Sequence, residues 1–564
     1  LLLAIDWGIF MKRFQKNIIH NRILKYVFIS TWIFILLIGR LIWFQIINYE
    51  SLKNQALKQR GKEVSLYPNR GIIYDENLIP LTNRERVTTL FVLRDSIDNN
   101  QNIENFILKN TSLNKEELEE YLNDNNKNKI VEIPLKSPIL NYNSNKDIVI
   151  ADKTLRYSKN NLLSHVIGYI NKSENRGKSG VEKVYDEILR NGQQQNSLII
   201  EYDENKNVFL GSSHTVSKKK QSIEPSGVKL TIDYHIQSIV ERILDFNKVN
   251  GAVIVADVKT GDIKALASRP DFQQSDVDEY LNRDDMVLYN KAIQVAYPPG
   301  SLFKLIVLST ALEDNIHNLS KTFYCKGYEE IGNVIIKCNN IEGHGHIGLK
   351  EAFSKSCNSA FIQLGQQLGS VKIIEMAKKL GFGDKVNIGL IEEIEGNLPK
   401  GDELQGPAIG NISIGQGSIE TTPIQITNMM LIVANKGIKT GMTIVDGIVD
   451  EDGYMIKKFK KENPEIVLSE RNSEILLDCL IDVIEVGTAK NIELDNIGGA
   501  GGKTGSAQAI LNGKETIHGW FSGFYPKEDP KYVVTIIVEE GLSGSKSAVP
   551  IFENIIKEIY KINR

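Results

Sequence analysis

The sequence predicts an α/β (α+β) fold, an antiparallel sheet flanked by helices, preceded by a less regular N-terminal region and one apolar helix. Ile236, Ile239, Val240, Ile243 and Leu244 follow the i, i+3, i+4, i+7, i+8 spacing of a helix packed on an apolar core. Extended apolar runs follow this helix, and two of them are separated by Asn-Gly, the strongest short-range hairpin signal. A third observation is an apolar segment near the N-terminus that is long enough to span a membrane.

Length and charge limit the class of protein. A chain of 564 residues is too long for a single hydrophobic core, so two or three domains are expected. The net charge is −3, and basic residues are interleaved with acidic ones throughout the chain. This pattern is typical of a solvated surface, and it predicts no nucleic-acid partner.

The first predicted element is a transmembrane helix over residues 26–47, which is almost wholly apolar apart from Arg40 and Gln45. Residues 1–25 form a predicted cytoplasmic tail, because the basic residues before the helix place the N-terminus in the cytoplasm by the positive-inside rule. The remaining chain is then extracytoplasmic. A cleaved signal peptide is the competing interpretation, but no small-residue cleavage site follows the apolar run, so a retained anchor is favoured.

Two domains are predicted after the anchor. Residues 48–226 are polar and rich in Asn and Lys, with short strand-like pieces at Val87–Leu93 and Ile130–Leu135. We expect a mainly β or irregular domain there and the α+β domain over residues 227–564. The predicted strands of its sheet are Ala252–Asp257, Asp262–Ser268, Ser506–Leu511, Gly519–Tyr525 and Tyr532–Glu539, and a helix over Pro550–Ile562 closes it.

A serine and a lysine three residues apart form the first candidate site. Ser301 follows Tyr297-Pro298-Pro299-Gly300, which is unlike a helix, and precedes a helix-compatible apolar run, so it is expected at a helix N-terminus. Three residues are nearly one helical turn, which brings Lys304 to the face of Ser301. A neutral Lys304 could activate the hydroxyl, and free backbone N–H groups could stabilise an oxyanion. The alternative is an N-cap serine beside a solvated lysine.

Two further strings carry polar side chains suited to the same chemistry. Ser356 and Asn358 lie in a helix-like run and reach one cleft only if they occupy a turn between helices; an ordinary helix-to-helix turn is the alternative. Lys503-Thr504-Gly505 begins an extended segment that meets Asn512-Gly513 and returns. A lysine and a hydroxyl at a strand edge suit a carboxylate ligand, and Gly501, Gly502 and Gly505 would let a substrate backbone approach closely.

In this order the three strings resemble the S-x-x-K, S-x-N and K-T-G motifs of penicillin-binding proteins and class A β-lactamases. The segments Ile414-Gly415-Gln416-Gly417 and His518-Gly519-Trp520-Phe521 are also similar to that family. The class B type is favoured by Arg70-Gly71 and Gly180-Val181-Glu182, and because no glycosyltransferase motif is found between Glu50 and Ser226. The resemblance implies a penicillin-binding/serine β-lactamase-like transpeptidase domain, with residues 48–226 as a pedestal for dimerisation or interaction.

The resemblance also implies a role for each residue. Ser301 is the nucleophile and Lys304 its base, while Ser356 passes a proton to the leaving amine and Asn358 holds the substrate's backbone amide. The backbone N–H groups of Ser301 and Ser506 form the oxyanion hole. The substrate-binding residues are Asn358, Lys503, Thr504 and Ser506, and Gly505 completes the catalytic set. No cofactor is expected for catalysis.

Four cysteines suggest a structural metal. Cys325, Cys338 and Cys357 lie around His344 in sequence, and Cys, Cys, His, Cys is a tetrahedral zinc set, similar to that of some elongation-type relatives. His346 is the alternative histidine. A disulfide between Cys325 and Cys338, or free buried thiols, are the competing interpretations. A zinc ion here would brace the turn that carries Ser356 and Asn358.

The function that the resemblance implies is that of a membrane-anchored D,D-transpeptidase of the elongation or sporulation type, which cross-links peptidoglycan stem peptides through an acyl-serine and is inhibited by β-lactams. Partners would be the stem peptides, β-lactams, the membrane, a membrane glycan polymerase and other cell-wall machinery. The alternatives are a β-lactamase or carboxypeptidase that uses water as acceptor, a β-lactam sensor, and a scaffold that recruits the polymerase without needing catalysis.

Overall fold

The computed structural model describes most of the chain. The described residues are 2–49, 52, 61–66, 68, 70–124, 130–139, 148–191, 195–202, 208–218, 225–283, 285–314, 319, 321–511 and 514–563. They form two compact units, which are treated separately below. The first comprises Leu1–Tyr67, Val87–Lys153 and Gln195–Lys218, and the second comprises Pro68–Arg86, Thr154–Gln194 and Lys219–Arg564.

The first unit begins with a long helix, Leu2–Ile42, which continues into a π-helical turn at Trp43–Ile47. Its segment Ile19–Ile47 is long and apolar enough to cross a membrane, and an 18-residue window within it has a mean hydropathy of 2.1. The predicted span of residues 26–47 lies within this segment. The guanidinium of Arg40 lies 5.6 Å from the ring centroid of Phe44, so its charge rests on an aromatic face near the end of the helix.

Among the described residues, the remainder of the first unit contains two small sheets and three helices. One sheet has the strand order Gly61–Ser65, Gln195–Tyr202, Val208–Lys218, and the other has the order Ile130–Pro134, Arg86–Leu93, Ile148–Thr154. The helices, Arg94–Asn99, Gln101–Asn110 and Lys115–Asp124, were not anticipated. Their polar composition obscures a narrow apolar face, from which Ile107 and Leu118 pack on Leu90 of the second sheet.

The second unit is built on a five-stranded antiparallel sheet. Helix α1, Tyr234–Phe246, precedes strands β1, Gly251–Asp257, and β2, Ile263–Arg269. Strands β3, Gly501–Leu511, β4, Lys514–Tyr525, and β5, Tyr532–Val538, complete the sheet in the order β2-β1-β5-β4-β3. The five predicted strands and the helix are confirmed. The predicted turn at Asn512-Gly513 lies outside the described residues, although Leu511 pairs with Lys514 beside it.

Helices cover both faces of this sheet, as predicted. The principal ones are α2 Lys304–Glu313, α3 Leu349–Ser354, α4 Asn358–Leu368, α5 Ser370–Lys379, α6 Pro423–Ala434, α7 Glu470–Glu485 and α8 Gly544–Ile562. All residues of α6 and all of β5 are buried, which places the core at their contact. On α8, Phe552 packs against Phe521 of β4 with ring centroids 4.7 Å apart.

Helix α8 begins at Gly544, six residues before the predicted start at Pro550. Proline usually marks the beginning of a helix because it lacks a backbone N–H. Here Pro550 has no N–H to donate to the carbonyl of Lys546, one turn earlier. Both residues lie on the exposed face of the helix, so water can satisfy that carbonyl. Burial of Ala548, Val549 and Phe552 then favours the longer helix.

Shorter elements connect these layers. The paired strands are Ile73–Tyr74, Gly227–Leu230, Val445–Val449 and Met455–Lys458 in one sheet, and the two-stranded pairs Thr322–Cys325 with Gly345–Gly348, Tyr328–Ile331 with Val334–Lys337, Ile438–Lys439 with Glu465–Ile466, and Ile170–Asn171 with Arg176–Gly177. The short helices are Ser164–Ile167, Gly180–Val184, Asp186–Leu189 and Ala408–Ile412, with 3₁₀ turns at Val277–Glu279, Gly300–Phe303, Gly401–Leu404 and Asp495–Ile497.

A buried ion-pair network joins two segments singled out in the sequence. Arg70 is paired with Glu182, and its Nη2 lies 2.7 Å from Asp186 Oδ1. Arg156 Nε donates to Glu182 Oε1 over 2.8 Å. Glu182 is fully buried, so its charge is tolerated only because two guanidinium groups neutralise it. The Arg70-Gly71 and Gly-Val-Glu segments therefore meet within the second unit.

Candidate active site

Ser301 lies in the 3₁₀ turn Gly300–Phe303, which runs directly into α2. The helix-terminal position predicted for it is confirmed. Gly300 has φ +54°, donates its N–H to the carbonyl of Gly415 over 2.9 Å, and approaches β3 so closely that a Cβ would lie 2.8 Å from Ser506 O. Only glycine fits this position without strain. The turn therefore presents Ser301 beside the strand that carries Lys503-Thr504-Gly505.

Lys304 contacts the three other members of the first two motifs. Its Nζ lies 3.2 Å from Ser301 Oγ and 3.2 Å from Ser356 Oγ. It also donates to the backbone carbonyl of Ser356 and to Asn358 Oδ1, each over 2.7 Å. The side chain is fully buried. A solvated lysine beside an N-cap serine is therefore not what the structure contains.

Burial lowers the pKa of Lys304 to about 8. Burial also lowers the pKa of Lys503 well below its usual value, and the positive charge of Lys304 lowers it further. Two buried lysines near one another disfavour a doubly charged state. A neutral amine at Lys304 is thus accessible near neutral pH, as a general base requires.

Ser356 and Asn358 lie at the junction of α3 and α4, as predicted, with Ser356 in the turn between the two helices. Ser356 has φ +56°, a conformation that costs a non-glycine residue free energy and that often marks functional sites. Asn358 is the first residue of α4, and its Nδ2 donates to Lys337 O over 3.0 Å. The left-handed turn at Ser356 lets two side chains, two residues apart, both reach Lys304.

The third motif lies near the start of β3, the terminal strand in the sheet order β2-β1-β5-β4-β3. It consists of Lys503, Thr504 and Gly505. Lys503 is fully buried, and its Nζ lies 3.2 Å from Thr504 O and 5.6 Å from the ring centroid of Phe353. At Gly505 a Cβ would lie 3.1 Å from Pro299 O, so the strand packs against the chain that leads to Ser301.

The glycines before Lys503 do not serve the purpose expected of them. A Cβ at Gly501 would lie 2.2 Å from the ring of Phe524, and one at Gly502 would lie 2.5 Å from the ring of Phe521. The aromatic side chains of β4 occupy this space. These two glycines therefore allow close packing within the sheet rather than approach by a substrate backbone.

Two hydroxyls on β3 complete the site. Ser506 Oγ accepts a hydrogen bond from Gly544 N over 3.3 Å, at the start of α8. Thr504 Oγ1 lies 2.6 Å from the hydroxyl of Thr488. The sequence analysis missed Thr488, and a Gly-Thr pair beyond the end of a helix carries no signal that would have identified it.

A second group that the sequence analysis missed supports the chain before Ser301. Tyr297 donates its hydroxyl to Glu539 Oε1 over 2.7 Å, and Lys291 Nζ lies 2.6 Å from Glu539 Oε2. The Tyr297 ring packs edge-on against His518 and Trp520, and Trp520 Nε1 donates to Pro298 O over 3.1 Å. Burial and the nearby Glu539 charge raise the pKa of Tyr297, so its hydroxyl stays protonated and remains a donor.

The four predicted metal ligands converge on one point. The ligand atoms of Cys325, Cys338, His344 and Cys357 all lie within 4.8 Å of one another, and all four cysteines of the chain are free thiols. Cys325 Sγ lies 3.5 Å from His344 Nδ1, and Cys338 Sγ lies 3.8 Å from Cys357 Sγ. The predicted alternative ligand, His346, instead packs its ring on Tyr324.

Comparison with known proteins agrees with this geometry. Residues 251–557 match the family described as "Penicillin binding protein transpeptidase domain". Stage V sporulation protein D of Bacillus subtilis is 29% identical over 97% of this chain and 86% of its own length. Peptidoglycan D,D-transpeptidase MrdA of Acinetobacter baumannii is 25% identical over 96% of this chain and 88% of its own.

Solved structures share the fold. Penicillin-binding protein PBP2 of Helicobacter pylori superimposes with a TM-score of 0.68 at 22% identity, covering 89% of this chain and 99% of that one. A complex of the same protein with MreC gives a TM-score of 0.62 at 23% identity, covering 89% and 99% of the two chains. With the family match covering more than half of its residues, the chain belongs to the penicillin-binding protein transpeptidase family, in class B.

Proposed function

We propose that the chain is a membrane-anchored serine D,D-transpeptidase that cross-links peptidoglycan stem peptides and is acylated by β-lactams. The observation that carries this proposal is the set of contacts made by Lys304 Nζ, which reaches Ser301 Oγ, Ser356 Oγ and Asn358 Oδ1 at once. A base in contact with the nucleophile and with a second hydroxyl is what acyl transfer from an amide requires.

In the acylation step, Ser301 Oγ attacks the penultimate D-alanyl carbonyl and gives its proton to the neutral amine of Lys304. The negative charge on the attacked oxygen is stabilised by the backbone N–H groups of Ser301 and Ser506. The proton then passes from Lys304 through Ser356 to the nitrogen of the departing D-alanine. Asn358 forms a hydrogen bond with the backbone amide of the donor peptide. Thr504 and Ser506 bind the terminal carboxylate of that peptide.

In the second step an amine of a neighbouring stem peptide attacks the ester carbon. Ser356 and Lys304 now accept the proton of that amine and return one to Ser301 Oγ as the ester bond breaks. No metal or other cofactor takes part in either step of this proposal. A donor carboxylate bound beside Lys503 favours the protonated form of that lysine, because an opposite charge offsets the burial that lowers its pKa.

The first test is covalent labelling of the full-length chain in detergent with a fluorescent penicillin, followed by intact mass. We expect one stable adduct on the wild-type chain and none on Ser301→Ala. Lys304→Ala should fold and bind but acylate at least about 100-fold more slowly, because general base catalysis contributes that much. Rapid loss of the adduct would support a β-lactamase, and absence of any adduct would support a scaffold.

The acceptor is tested separately with stem-peptide polymers and the same chain. Cross-linked dimers detected by mass spectrometry would support the transpeptidase, whereas release of D-alanine without dimers would support a carboxypeptidase. Complementation of a deletion strain by Ser301→Ala addresses the scaffold. Full rescue would mean that catalysis is dispensable, and failure at normal expression would mean that it is required.

We also propose that Cys325, Cys338, His344 and Cys357 hold a structural zinc ion. Tetrahedral zinc with Zn–S near 2.3 Å and Zn–N near 2.0–2.1 Å places its ligand atoms about 3.5–3.8 Å apart. Three of the observed separations, 3.5, 3.7 and 3.8 Å, fit that shape, and all of them lie within 4.8 Å. Hydrogen bonds from the Cys357 thiol and from neighbouring backbone N–H groups lower the pKa of Cys338, which favours the thiolate that zinc binds.

Cys357 lies between Ser356 and Asn358 in sequence, so a metal ion bound to Cys357 would be attached directly to the turn that carries these two residues. A metal bound there would hold the strained turn in place, and four protein ligands leave no open position for chemistry. Metal analysis of the purified chain tests this, with Cys338→Ser as the variant and Cys479→Ser, a buried cysteine outside the cluster, as its control. We expect about one zinc ion per chain in the wild type and the control only. Little zinc, with Cys325 and Cys338 oxidised, would overturn the proposal.

For the whole chain we propose a cytoplasmic tail over residues 1–25, a transmembrane helix over 26–47, a pedestal over 48–226 and an extracytoplasmic transpeptidase domain over 227–564. Residues 68–86 and 154–194 of that pedestal cluster with the C-terminal unit. The pedestal and helix are the proposed contacts for a glycan polymerase and other cell-wall proteins. H. pylori PBP2, which shares this fold, forms a complex with MreC, and this supports a protein partner for the chain.

A further inference from the structure

A tight turn beyond α7 reaches both walls of the active site. Gly487 and Thr488 follow the end of α7, and Ala489 N donates back to Val483 O over 3.0 Å. Thr488 N donates to Ser354 O over 3.2 Å, two residues before Ser356. A Cβ at Gly487 would lie 2.4 Å from the same Ser354 oxygen, so only glycine permits this approach. The turn is therefore anchored to α3 by its backbone.

The side chain of Thr488 points to the other wall. Its Oγ1 lies 2.6 Å from Oγ1 of Thr504, a short separation for two hydroxyls. Thr504 is only 6% exposed, whereas Thr488 is half-buried. Thr488 therefore lies behind the hydroxyl that the proposed function assigns to substrate binding, and it is not itself part of any of the three motifs.

The direction of this hydrogen bond depends on what Thr504 binds. Each hydroxyl has one proton to donate and two lone pairs that accept. A carboxylate can only accept hydrogen bonds, so Thr504 must donate its hydroxyl proton to the carboxylate when the acyl donor is bound. The bond between the two threonines then persists only if Thr488 is the donor. The result is a chain from Thr488 through Thr504 to the carboxylate, in which each bond strengthens the next.

We propose that Thr488 is a positioning residue for the carboxylate of the acyl donor: it donates to Thr504 and thereby commits the Thr504 proton to the substrate. The inference rests on the proposed function, because it takes the carboxylate-bearing acyl donor from it. Through its backbone bond to Ser354, the same residue also sets the distance between the turn of Ser356 and strand β3.

The test compares a probe that carries the carboxylate with one that lacks it. Second-order acylation rates are measured on the full-length chain by intact mass with benzylpenicillin and with its methyl ester. Thr488→Val keeps the shape and removes the hydroxyl, and Thr488→Ser keeps the hydroxyl. Thr488→Ala is the second hydroxyl-free variant, in case valine disturbs the turn. Thermal midpoints are recorded for all of them.

For Thr488→Val and Thr488→Ala we expect acylation by benzylpenicillin to slow by about three- to tenfold, the value of one hydrogen bond. The rate with the methyl ester should change by less than about twofold, and Thr488→Ser should stay within about twofold of wild type with both probes. In a Thr504→Val background, Thr488→Val should cause no further loss, because its partner is absent.

Equal losses with both probes would overturn the inference, since they would reveal a merely structural role. It would be overturned equally by full activity of the hydroxyl-free variants or by a serine variant as slow as valine. Failure of the proposed function has a different signature. In that case wild type would form no adduct with either probe, whereas failure of the inference alone leaves wild type acylated normally.

Discussion

The hydroxyl of Tyr297 offers a sharp test of how the chain before Ser301 is held in place. Tyr297→Phe removes only the oxygen that donates to Glu539 over 2.7 Å and leaves the ring between His518 and Trp520. The carboxylate of Glu539 is buried and still faces Lys291, so it loses one of its two close side-chain partners. We therefore expect the variant to fold and to keep the ring packing.

The magnitude follows from the chemistry of that bond. A hydrogen bond to a charged group contributes about 1.5–3 kcal/mol, and truncation that leaves a buried acceptor unsatisfied lies toward the upper end. We expect the free energy of unfolding to fall by about 2 kcal/mol, which in a unit of this size lowers the thermal midpoint by roughly 2–3 °C. Because the Tyr297 pKa is raised and the hydroxyl does not ionise, the loss should be the same from pH 6 to 9.

The assay is denaturant unfolding of the full-length chain in detergent, followed by tryptophan fluorescence, for wild type, Tyr297→Phe, Glu539→Gln and the double variant. The cycle should return a coupling of about 1–2 kcal/mol between the two side chains. Acylation by a fluorescent penicillin, measured in parallel, should slow by less than about threefold because backbone pairing of Tyr297 with Thr421 is retained. A coupling near zero would refute the reasoning.

Three further predictions concern the base, the buried network and the turn before the nucleophile. Because burial lowers the pKa of Lys304 to about 8, the acylation rate should rise about tenfold per pH unit below pH 8 and level off near pH 9. Stopped-flow labelling measures this profile, and a rate that continues to rise to pH 10 would contradict it. Glu182→Gln leaves Arg70 and Arg156 buried without their shared counter-charge and should cost about 3–5 kcal/mol in denaturant unfolding, whereas an unchanged midpoint would show that the network contributes nothing. Gly300→Ala should abolish labelling, because φ is +54° and a Cβ would lie 2.8 Å from a backbone oxygen of β3; normal labelling at normal stability would exclude the strain argument.

The part of the site that could be predicted from the sequence is the part that depends on the spacing of neighbouring residues. Ser301 and Lys304 are one turn apart at a helix start, so their contact follows from helix geometry alone. The strands flanking Asn512-Gly513 follow from alternation and turn chemistry. All five strands of the sheet were located, although β3 and β4 each begin five residues before the predicted start. The start of α8 was misplaced because a proline is a local signal, whereas burial of the helix face depends on its neighbours.

What the sequence missed lies where segments distant in the chain meet. Thr488 contacts Thr504 only because α7 packs against β3, and Tyr297 finds Glu539 only because β5 pairs beside β4. Gly501 and Gly502 were misinterpreted for the same reason, since the rings that fill their space come from the partner strand.

The sequence by itself determined the family, the order of the three motifs, the apolar helix and the strands of the sheet, because each of these is a pattern of neighbouring residues. Only the tertiary structure decided that Lys304 is buried with a lowered pKa, that Ser356 adopts a left-handed turn, and that four metal-binding side chains converge. The physical reason is that burial, desolvation and contacts between distant residues are properties of the packed chain, and no window of sequence contains them.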